Sequence, residues 1–365
     1  MHRIFGETVE GPLTRTRVEE LLRRARERCE PFERVSVRRI LRILDRVGRA
    51  WGDPAFPPRA RAQAELPELL GLSPEMVRLS LDLLSAALGR DALELRARRE
   101  LGPLELLDRF FPQGRVGQYL RARPRGVVLT VASGNVFVGS AVLLAESLLA
   151  GNVTLLKVSS GDPLFARLFV ESLAGFEEDG ELTRSTAVLS WPGGDDELEC
   201  LFKTSCDTVV ITGGEEAVRR YRQGLGPGVE VVDYGPKLSL AVLTAGVEDL
   251  PDVAARLARD VSMWDQNACS SPQVLYVEGV ELAERLLPLL QEALEESDRT
   301  LPAATPSFDT AVEVTKEREM ARFAAAVRPV RLLTSSRPHA WTLIYEPDDP
   351  ILRPSPLHRT LLVKC

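Results

Sequence analysis

The run Gly126-Val127-Val128-Leu129-Thr130-Val131-Ala132, followed by Ser133-Gly134-Asn135 and then by an apolar stretch over residues 137–150, decides how this chain folds. A strand with one wet face alternates apolar and polar side chains; this run is apolar almost throughout, so it suits a strand buried on both faces. The stretch after it reads as a helix from about residue 137 to 150, stopped by Gly151-Asn152. A second buried strand is expected over 153–158, and Asp162-Pro163 opens another helix. The alternation continues: strand 186–191, helix 195–202, strand 208–212, helix 215–225, strand 229–234. Strands joined through helices of this length lie parallel, with helices on both faces of the sheet. Residues 121–240 are therefore expected to form a Rossmann-like, doubly wound nucleotide-binding domain, although the GxGxxG fingerprint is absent.

Beyond residue 238 the pattern starts afresh. A strand over 238–244, a helix over 250–264, a polar loop and a strand over 273–278 are expected, then a helix over 282–296 and strands near Val330, Trp341 and Arg359. These predict a second α/β domain over 241–365. Before residue 121 the chain reads as mostly helical, a 1–120 region packing on the cofactor domain. Arginines over 15–28 and 34–49 alternate with Val18, Leu21, Leu22, Ile40, Leu41, Ile43 and Leu44 at helical spacing, as in amphipathic helices with solvated arginine faces. Ser73-Pro74-Glu75-Met76 has the order of a helix start: a serine cap, a first-turn proline, then an acid.

Composition narrows the function. At 365 residues and 44% hydrophobic content the chain can bury well-formed cores. A formal net charge of -7 argues against a general nucleic-acid binder, whose affinity rests on neutralising phosphates. No secretion signal opens the chain, and no apolar run reaches the roughly 18–20 residues a membrane helix needs. Cysteines at 29, 200, 206, 269 and 365 show no metal-ligand spacing, so no metal is expected. An odd number of cysteines without a secretion signal points to reduced thiols in the cytoplasm.

The segment Trp264-Asp265-Gln266-Asn267-Ala268-Cys269-Ser270-Ser271-Pro272-Gln273 lies between a predicted helix and an apolar strand. Its thiol therefore sits on a connection, where reactive groups concentrate. Cys269 is a candidate nucleophile, and a buried structural cysteine is the alternative.

Taken in order, Ser133-Gly134-Asn135-Val136, the stretch from Leu155 to Pro163, Trp191-Pro192-Gly193-Gly194-Asp195, Thr212-Gly213-Gly214-Glu215, Tyr234-Gly235-Pro236-Lys237-Leu238-Ser239, the Cys269 loop and Ser355-Pro356-Leu357-His358-Arg359-Thr360 carry a resemblance. The chain resembles the acyl-CoA reductases of the aldehyde dehydrogenase superfamily, the fatty-acid reductase of bacterial luminescence type. The resemblance implies an aldehyde-dehydrogenase-like fold and NADPH-dependent reduction of a long-chain acyl thioester, acyl-CoA or acyl-protein, to the aldehyde. It also implies a covalent acyl-Cys269 intermediate, a homo-oligomer, and an acyl-protein synthetase or thioesterase as partner.

Residue by residue, the resemblance makes Asn135 the amide that stabilises the oxyanion together with the Cys269 N–H; capping the next helix is the competing role. Lys157 matches the lysine that contacts the cofactor ribose. Ser160 stands where many NAD-preferring relatives carry an acid, which leaves room for a 2′-phosphate and favours NADPH. The alternative for Lys157 is a strand-end lysine reaching to solvent. Ser159, Gly193, Gly213, Gly214, Val218 and Gly235 complete the implied cofactor set, Gly213-Gly214 opening a helix that a pyrophosphate could approach. Structural turns are the competing reading for both glycine pairs, since Glu215 and Glu216 would repel a phosphate aimed at them. Asp233 matches the glutamate that activates water in hydrolytic relatives but is one methylene shorter, which implies weak hydrolysis of the acyl-enzyme. His339 and His358 remain as further proton-transfer candidates. Oxidation of aldehydes by NAD(P)⁺ and a non-catalytic acyl carrier or scaffold are the rival functions. The chain ends at Cys365 where relatives continue, which suggests a shorter branch or a truncation.

Overall fold

Hairpin β1 (His2–Ile4) and β2 (Glu7–Val9) opens the chain, ahead of five helices: α1 (Arg15–Glu33), α2 (Val37–Gly52), α3 (Pro57–Leu70), α4 (Pro74–Leu88) and α5 (Arg90–Leu101). The computed structural model describes residues 1–112, 114 and 117–365. Ser73 starts α4 as its position suggests, its Oγ accepting the Met76 N–H at 3.2 Å. A short α6 (Glu105–Asp108) and the two-residue pair β3 (Phe111–Pro112) and β4 (Tyr119–Leu120) lead to the first long strand.

From there strands and helices alternate: β5 (Val127–Val131), α7 (Gly139–Leu149), β6 (Val153–Lys157), α8 (Phe165–Leu173), β7 (Thr186–Leu189), α9 (Asp196–Ser205), β8 (Thr208–Thr212), α10 (Glu215–Arg222) and β9 (Glu230–Tyr234). Strands β5 to β9 pair in parallel in the order β7-β6-β5-β8-β9. The hairpin extends the sheet at one end, β1 pairing antiparallel with β7. Those opening strands are too short and too polar to read from sequence.

Period-two alternation explains why β5 is apolar throughout. Val127, Leu129 and Val131 pack with Val18, Leu21, Leu22 and Ala25 of α1 and with Leu198 and Phe202 of α9. Val128 and Thr130 point to the opposite face and are buried as well, so neither face of β5 is wet. Gly126 enters β5 at φ 114, and a Cβ there would meet the Asp207 carboxylate at 2.3 Å. The close approach lets that carboxylate accept the Val127 N–H at 2.7 Å.

A second sheet follows: β10 (Ser239–Leu243), α11 (Leu250–Ser262), β11 (Pro272–Val277), α12 (Val280–Thr300), α13 (Phe308–Ala325), β12 (Arg331–Thr334), β13 (Thr342–Glu346) and β14 (Thr360–Lys364). Its order is β10-β11-β14-β13-β12, parallel except for β12 against β13. Leu275, Val277, Leu343, Leu361 and Val363 face Leu257, Ala258 and Val261 of α11 and Leu286, Leu290 and Leu294 of α12. Val274, Ile344 and Leu362 turn the other way, toward Ala321 and Val330.

By packing, the chain forms two compact units: Met1–Leu70 with Leu79–Pro236, and Gly71–Arg78 with Lys237–Cys365. The first carries the seven-stranded sheet and the second the five-stranded one. Among the described residues no helix is long and apolar enough to cross a membrane.

Candidate active site

Every residue proposed for cofactor binding lies on the first unit, at or just past the carboxyl end of a parallel strand or on the helix beside one. Asn135 follows β5, Lys157 ends β6 with Ser159 and Ser160 behind it, Gly193 follows β7, Gly213 and Gly214 follow β8, and Gly235 follows β9. Strand order reverses between β5 and β8, the crevice where open α/β sheets bind ligands. One hydroxyl ties that crevice together. Thr212 Oγ1 donates to the Val131 carbonyl at 3.1 Å and accepts the Ser133 N–H at 2.9 Å.

Asn135 is exposed and lies ahead of α7, which begins at Gly139 with Val138 as its N-cap. Gly134 beside it could not carry a side chain without displacing Ser159: a Cβ would lie 2.7 Å from the Ser159 hydroxyl. That hydroxyl also accepts the Gly161 N–H at 3.2 Å. The loops after β5 and β6 are thus in contact, with Asn135 and Ser159 on the same rim.

Lys157 does not reach to solvent; it is 8% exposed. Its Nζ lies 5.1 Å from the centroid of the Trp191 ring, which in turn stacks on Phe202. Burial pulls its pKa below the ordinary lysine value, and the Glu199 charge only partly opposes this. Trp191 Nε1 is buried without a hydrogen-bond partner, an orphaned donor beside an amine that has no ion-pair partner among the described residues. Both are what an anionic, acceptor-rich ligand would satisfy.

The glycine pairs offer bare backbone. Extra atoms at Gly193 or Gly214 would meet nothing within 4 Å. Gly214 is the N-cap of α10, and Glu215 and Glu216 are exposed on its first turn. A buried carboxylate missed by sequence reasoning holds this corner. Glu199, 1% exposed, accepts the Gly194 N–H at 3.3 Å and pairs with Arg220 at 2.5 Å. Nothing in the local sequence separates it from its solvated neighbours Asp196 and Glu197. At the sheet edge, a Cβ on Gly235 would sit 3.6 Å from Val218 Cγ2. Asp233 is engaged by Arg222 of α10, Nε to carboxylate 2.9 Å.

Cys269 belongs to the second unit, on the loop between α11 and β11, and its residue is exposed. Cys206 is the opposite case, a buried thiol whose pKa desolvation pushes up to about 12. The Cys269 carbonyl accepts the Ser239 hydroxyl at 2.5 Å.

The chain reaches and leaves this loop through unusual backbone. Trp264, Asp265 and Gln266 have φ of 49, 50 and 68. Leu357, His358 and Arg359, just before β14, have φ of 62, 50 and 54. Left-handed backbone costs roughly 1–2 kcal/mol per non-glycine residue, so something must over-determine both turns. They hold each other. Arg359 Nε donates to Asp265 at 2.8 Å, with both residues buried, and its Nη1 donates to the Leu301 carbonyl at 2.9 Å. Gln266 exchanges two bonds with the backbone of Thr360. Both segments stood out as sequence motifs; their pairing, 94 residues apart, had no sequence signal.

His358 lies inside the second turn and is buried, while His339 is partly buried; burial lowers the pKa of each. Among the described residues no group of three or more His, Cys, Asp or Glu is placed to hold a metal ion.

The two parallel-sheet units have the α/β fold of the aldehyde dehydrogenases. The NAD-dependent benzaldehyde dehydrogenase of Corynebacterium glutamicum superposes over 100% of this chain and 84% of its own, with TM-score 0.73 and 14% identity. Aldehyde dehydrogenase C of Pseudomonas syringae, a mutant complexed with NAD+ and octanal, matches over 96% of this chain and 72% of its own, with TM-score 0.70 and 16% identity. Within that fold the chain belongs to the acyl-CoA reductase (LuxC) family, whose profile matches residues 32–365. The long-chain acyl-protein thioester reductase of Aliivibrio fischeri is 29% identical over 331 residues, 90% of this chain and 67% of that protein. The reductase of the same name from Photorhabdus luminescens is 30% identical over 272 residues, 74% of this chain and 56% of its own length.

Proposed function

We propose that this chain reduces a long-chain acyl thioester, acyl-CoA or acyl-protein, to the fatty aldehyde, using Cys269 as nucleophile and NADPH as reductant. The observation that carries the reading is the exposed Cys269 on a loop braced at both ends, in a chain of the acyl-CoA reductase family. The first unit is assigned to the cofactor and the second to acyl transfer.

The Cys269 thiolate attacks the acyl carbon. A bond forms from Sγ to carbon, the carbon–sulfur bond to the donor breaks, and the donor sulfur leaves as a thiolate that takes up the proton Cys269 gave up on ionising. Asn135 and the Cys269 N–H are assigned to the oxyanion; loss of one such donor typically costs about 3 kcal/mol of barrier. When bound, NADPH supplies hydride to the acyl carbon. Aldehyde departs as the carbon–sulfur bond to Cys269 breaks, and the thiolate released takes a proton from solvent.

The residues fit that cofactor. Lys157 offers a cation whose neighbours include no carboxylate in ion-pair contact among the described residues. Ser160 is exposed beside it where an acid would repel a 2′-phosphate. Gly193, Gly213 and Gly214 leave backbone accessible to a pyrophosphate. Val218 and Gly235 border the same end of the sheet. Five free cysteines suit a reducing cytoplasm. An acyl-donating synthetase or thioesterase and self-association are part of the proposal.

The test is Cys269→Ala. It is expected to abolish labelling of the chain by radioactive acyl-CoA and thioester-dependent NADPH oxidation together. Full turnover by that variant would end the proposal.

A further inference from the structure

The loop that carries Cys269 is closed at its stem by one side chain. Gln266 is 1% exposed. Its Nε2 donates to the Pro272 carbonyl at 2.8 Å and to the Thr360 carbonyl at 2.9 Å, and its Oε1 accepts the Thr360 N–H at 2.8 Å. Pro272 is the first residue of β11, so the bond from Gln266 to Pro272 closes a loop over residues 267–271 with Cys269 at its centre. Inside that loop the Asn267 N–H donates to the Trp264 carbonyl at 2.9 Å and the Ser271 N–H to the Ala268 carbonyl at 3.0 Å. The carbonyl of Cys269 itself is held by Ser239.

From this arrangement we infer that Gln266 is a positioning residue for Cys269: a clasp that fixes the loop stem to β14, so that Sγ and the Cys269 N–H approach a thioester in one pose. The inference rests on the reading of Cys269 as the acyl-accepting nucleophile. Three observations set the role apart from ordinary core filling. All three bonds go to main chain, two to Thr360 and one to the far end of the loop. Gln266 is itself left-handed at φ 68 and is the third such residue in a row; glycine or asparagine would take that backbone more readily, and neither could make the same three bonds from this position. The partner strand arrives through a matching left-handed turn, locked to the residue before Gln266 by the Arg359–Asp265 bond. Together these make the loop a small rigid body held from two sides, the condition for placing a nucleophile to a fraction of an ångström.

A positioning role and a merely structural one differ in which reagents notice its loss. An acyl thioester must meet the thiolate along a defined line. Iodoacetamide is small and reaches an exposed thiol from many directions. In the whole 365-residue chain, Gln266→Met removes the three bonds at nearly constant volume. Acylation is followed with radioactive acyl-CoA in single turnover, and alkylation of Cys269 and of Cys365 is followed by peptide mass spectrometry. Cys365 ends β14's side of the same unit and is partly buried, so its labelling reports loss of folding there. The expected result is an acylation rate constant at saturation at least tenfold lower, a half-saturating acyl-CoA concentration within twofold of wild type, alkylation of Cys269 changed less than threefold, and Cys365 unaltered. Unchanged acylation, or acylation and alkylation falling together in a folded variant, would overturn the inference. Should Cys365 become reactive, Ser239→Ala decides. It loosens only the Cys269 carbonyl and is expected to lower acylation selectively in the same way; no effect there overturns the inference. A wild-type chain that accepts no acyl group would remove the functional reading and the clasp with it, whereas normal acylation of both wild type and Gln266→Met removes the clasp alone.

Discussion

Asp233 on β9 and Arg222 on α10 form an ion pair, the guanidinium Nε 2.9 Å from the carboxylate. A carboxylate that takes up a proton surrenders its charge-assisted bond to the guanidinium. On the proposed reading, in which Asp233 stands where hydrolytic relatives place their base, this pairing adds to the shortness of the side chain in limiting activation of water. Asp233→Glu alone is therefore expected to leave aldehyde as the dominant product. Asp233→Glu with Arg222→Met is expected to raise the acid-to-aldehyde ratio by about an order of magnitude. Chromatographic analysis of both products checks it; equal ratios in the single and double variants would show that Arg222 has no part.

The lysine over Trp191 gives a prediction in pH. Burial favours the neutral amine, so the folded Lys157 loses its proton below the ordinary lysine range near about 10.4. A 2′-phosphate needs the cation. As pH rises through the depressed value the cation is lost, and the preference for NADPH over NADH is expected to fall before a solvated lysine would titrate. Lys157→Met is expected to weaken NADPH binding by roughly 10- to 100-fold, the worth of a hydrogen bond to a charged group, and NADH binding far less. Fluorescence titration with both cofactors across pH 7–10 (about the range of interest) reads the effect. A preference unmoved by pH and by the substitution would remove Lys157 from the proposed site.

Much of the fold was legible because burial on both faces leaves a clear trace. Strands β5, β6 and β8 are nearly unbroken apolar runs, and the predicted span of 208–212 coincides with Thr208–Thr212. The helices between them announced their ends: Asp195 caps α9 by accepting the Leu198 N–H, and Asp162 accepts the N–H of Phe165 at the start of α8. What escaped were elements whose stability comes from elsewhere in the chain. The hairpin β1–β2 is three residues a side and gains its place by pairing with β7. Helix α13 buries only Val314 and Ala321 among its described core positions, so its apolar periodicity is faint.

The site was legible as a set of segments and illegible as a structure. Asn135, Lys157 and Cys269 could be singled out one by one. That Ser159 closes against Gly134, that Glu199 alone of three neighbouring acids is buried, and that Asp265 meets Arg359 are facts of tertiary contact, which a linear pattern does not encode. The six left-handed residues of the two turns are the clearest case: none is glycine, and for Trp264, Gln266, Leu357 and Arg359 propensity argues against the conformation they adopt.

All three histidines of the chain report on acid stability with one sign. Burial lowers the pKa of His2, His339 and His358, so each takes up a proton less readily in the fold than in the unfolded chain. In the unfolded chain they protonate near about pH 6.5. Between that value and their depressed folded values the unfolded state binds more protons, so stability rises with pH and is lost as pH falls. Melting temperature is expected to drop on acidification from neutrality through this window, and His358→Gln is expected to flatten that drop. An unchanged slope in the variant would remove His358 from the account.

The Asp265–Arg359 pair makes the last prediction, one about stability rather than chemistry. Arg359 is 0% exposed and Asp265 4% exposed, so taking one away leaves the other charged in a dry place. Arg359→Met is expected to destabilise by about 3–5 kcal/mol, the usual cost of breaking a buried pair from one side. Removing both is not the sum. In Asp265→Leu with Arg359→Met no uncompensated charge remains, and part of the loss is expected to return, although the left-handed turns still lose their lock. Urea unfolding of the four members of the cycle measures the coupling. A coupling near zero would mean that the two turns are held by their backbone bonds through Gln266 and Thr360 rather than by the ion pair.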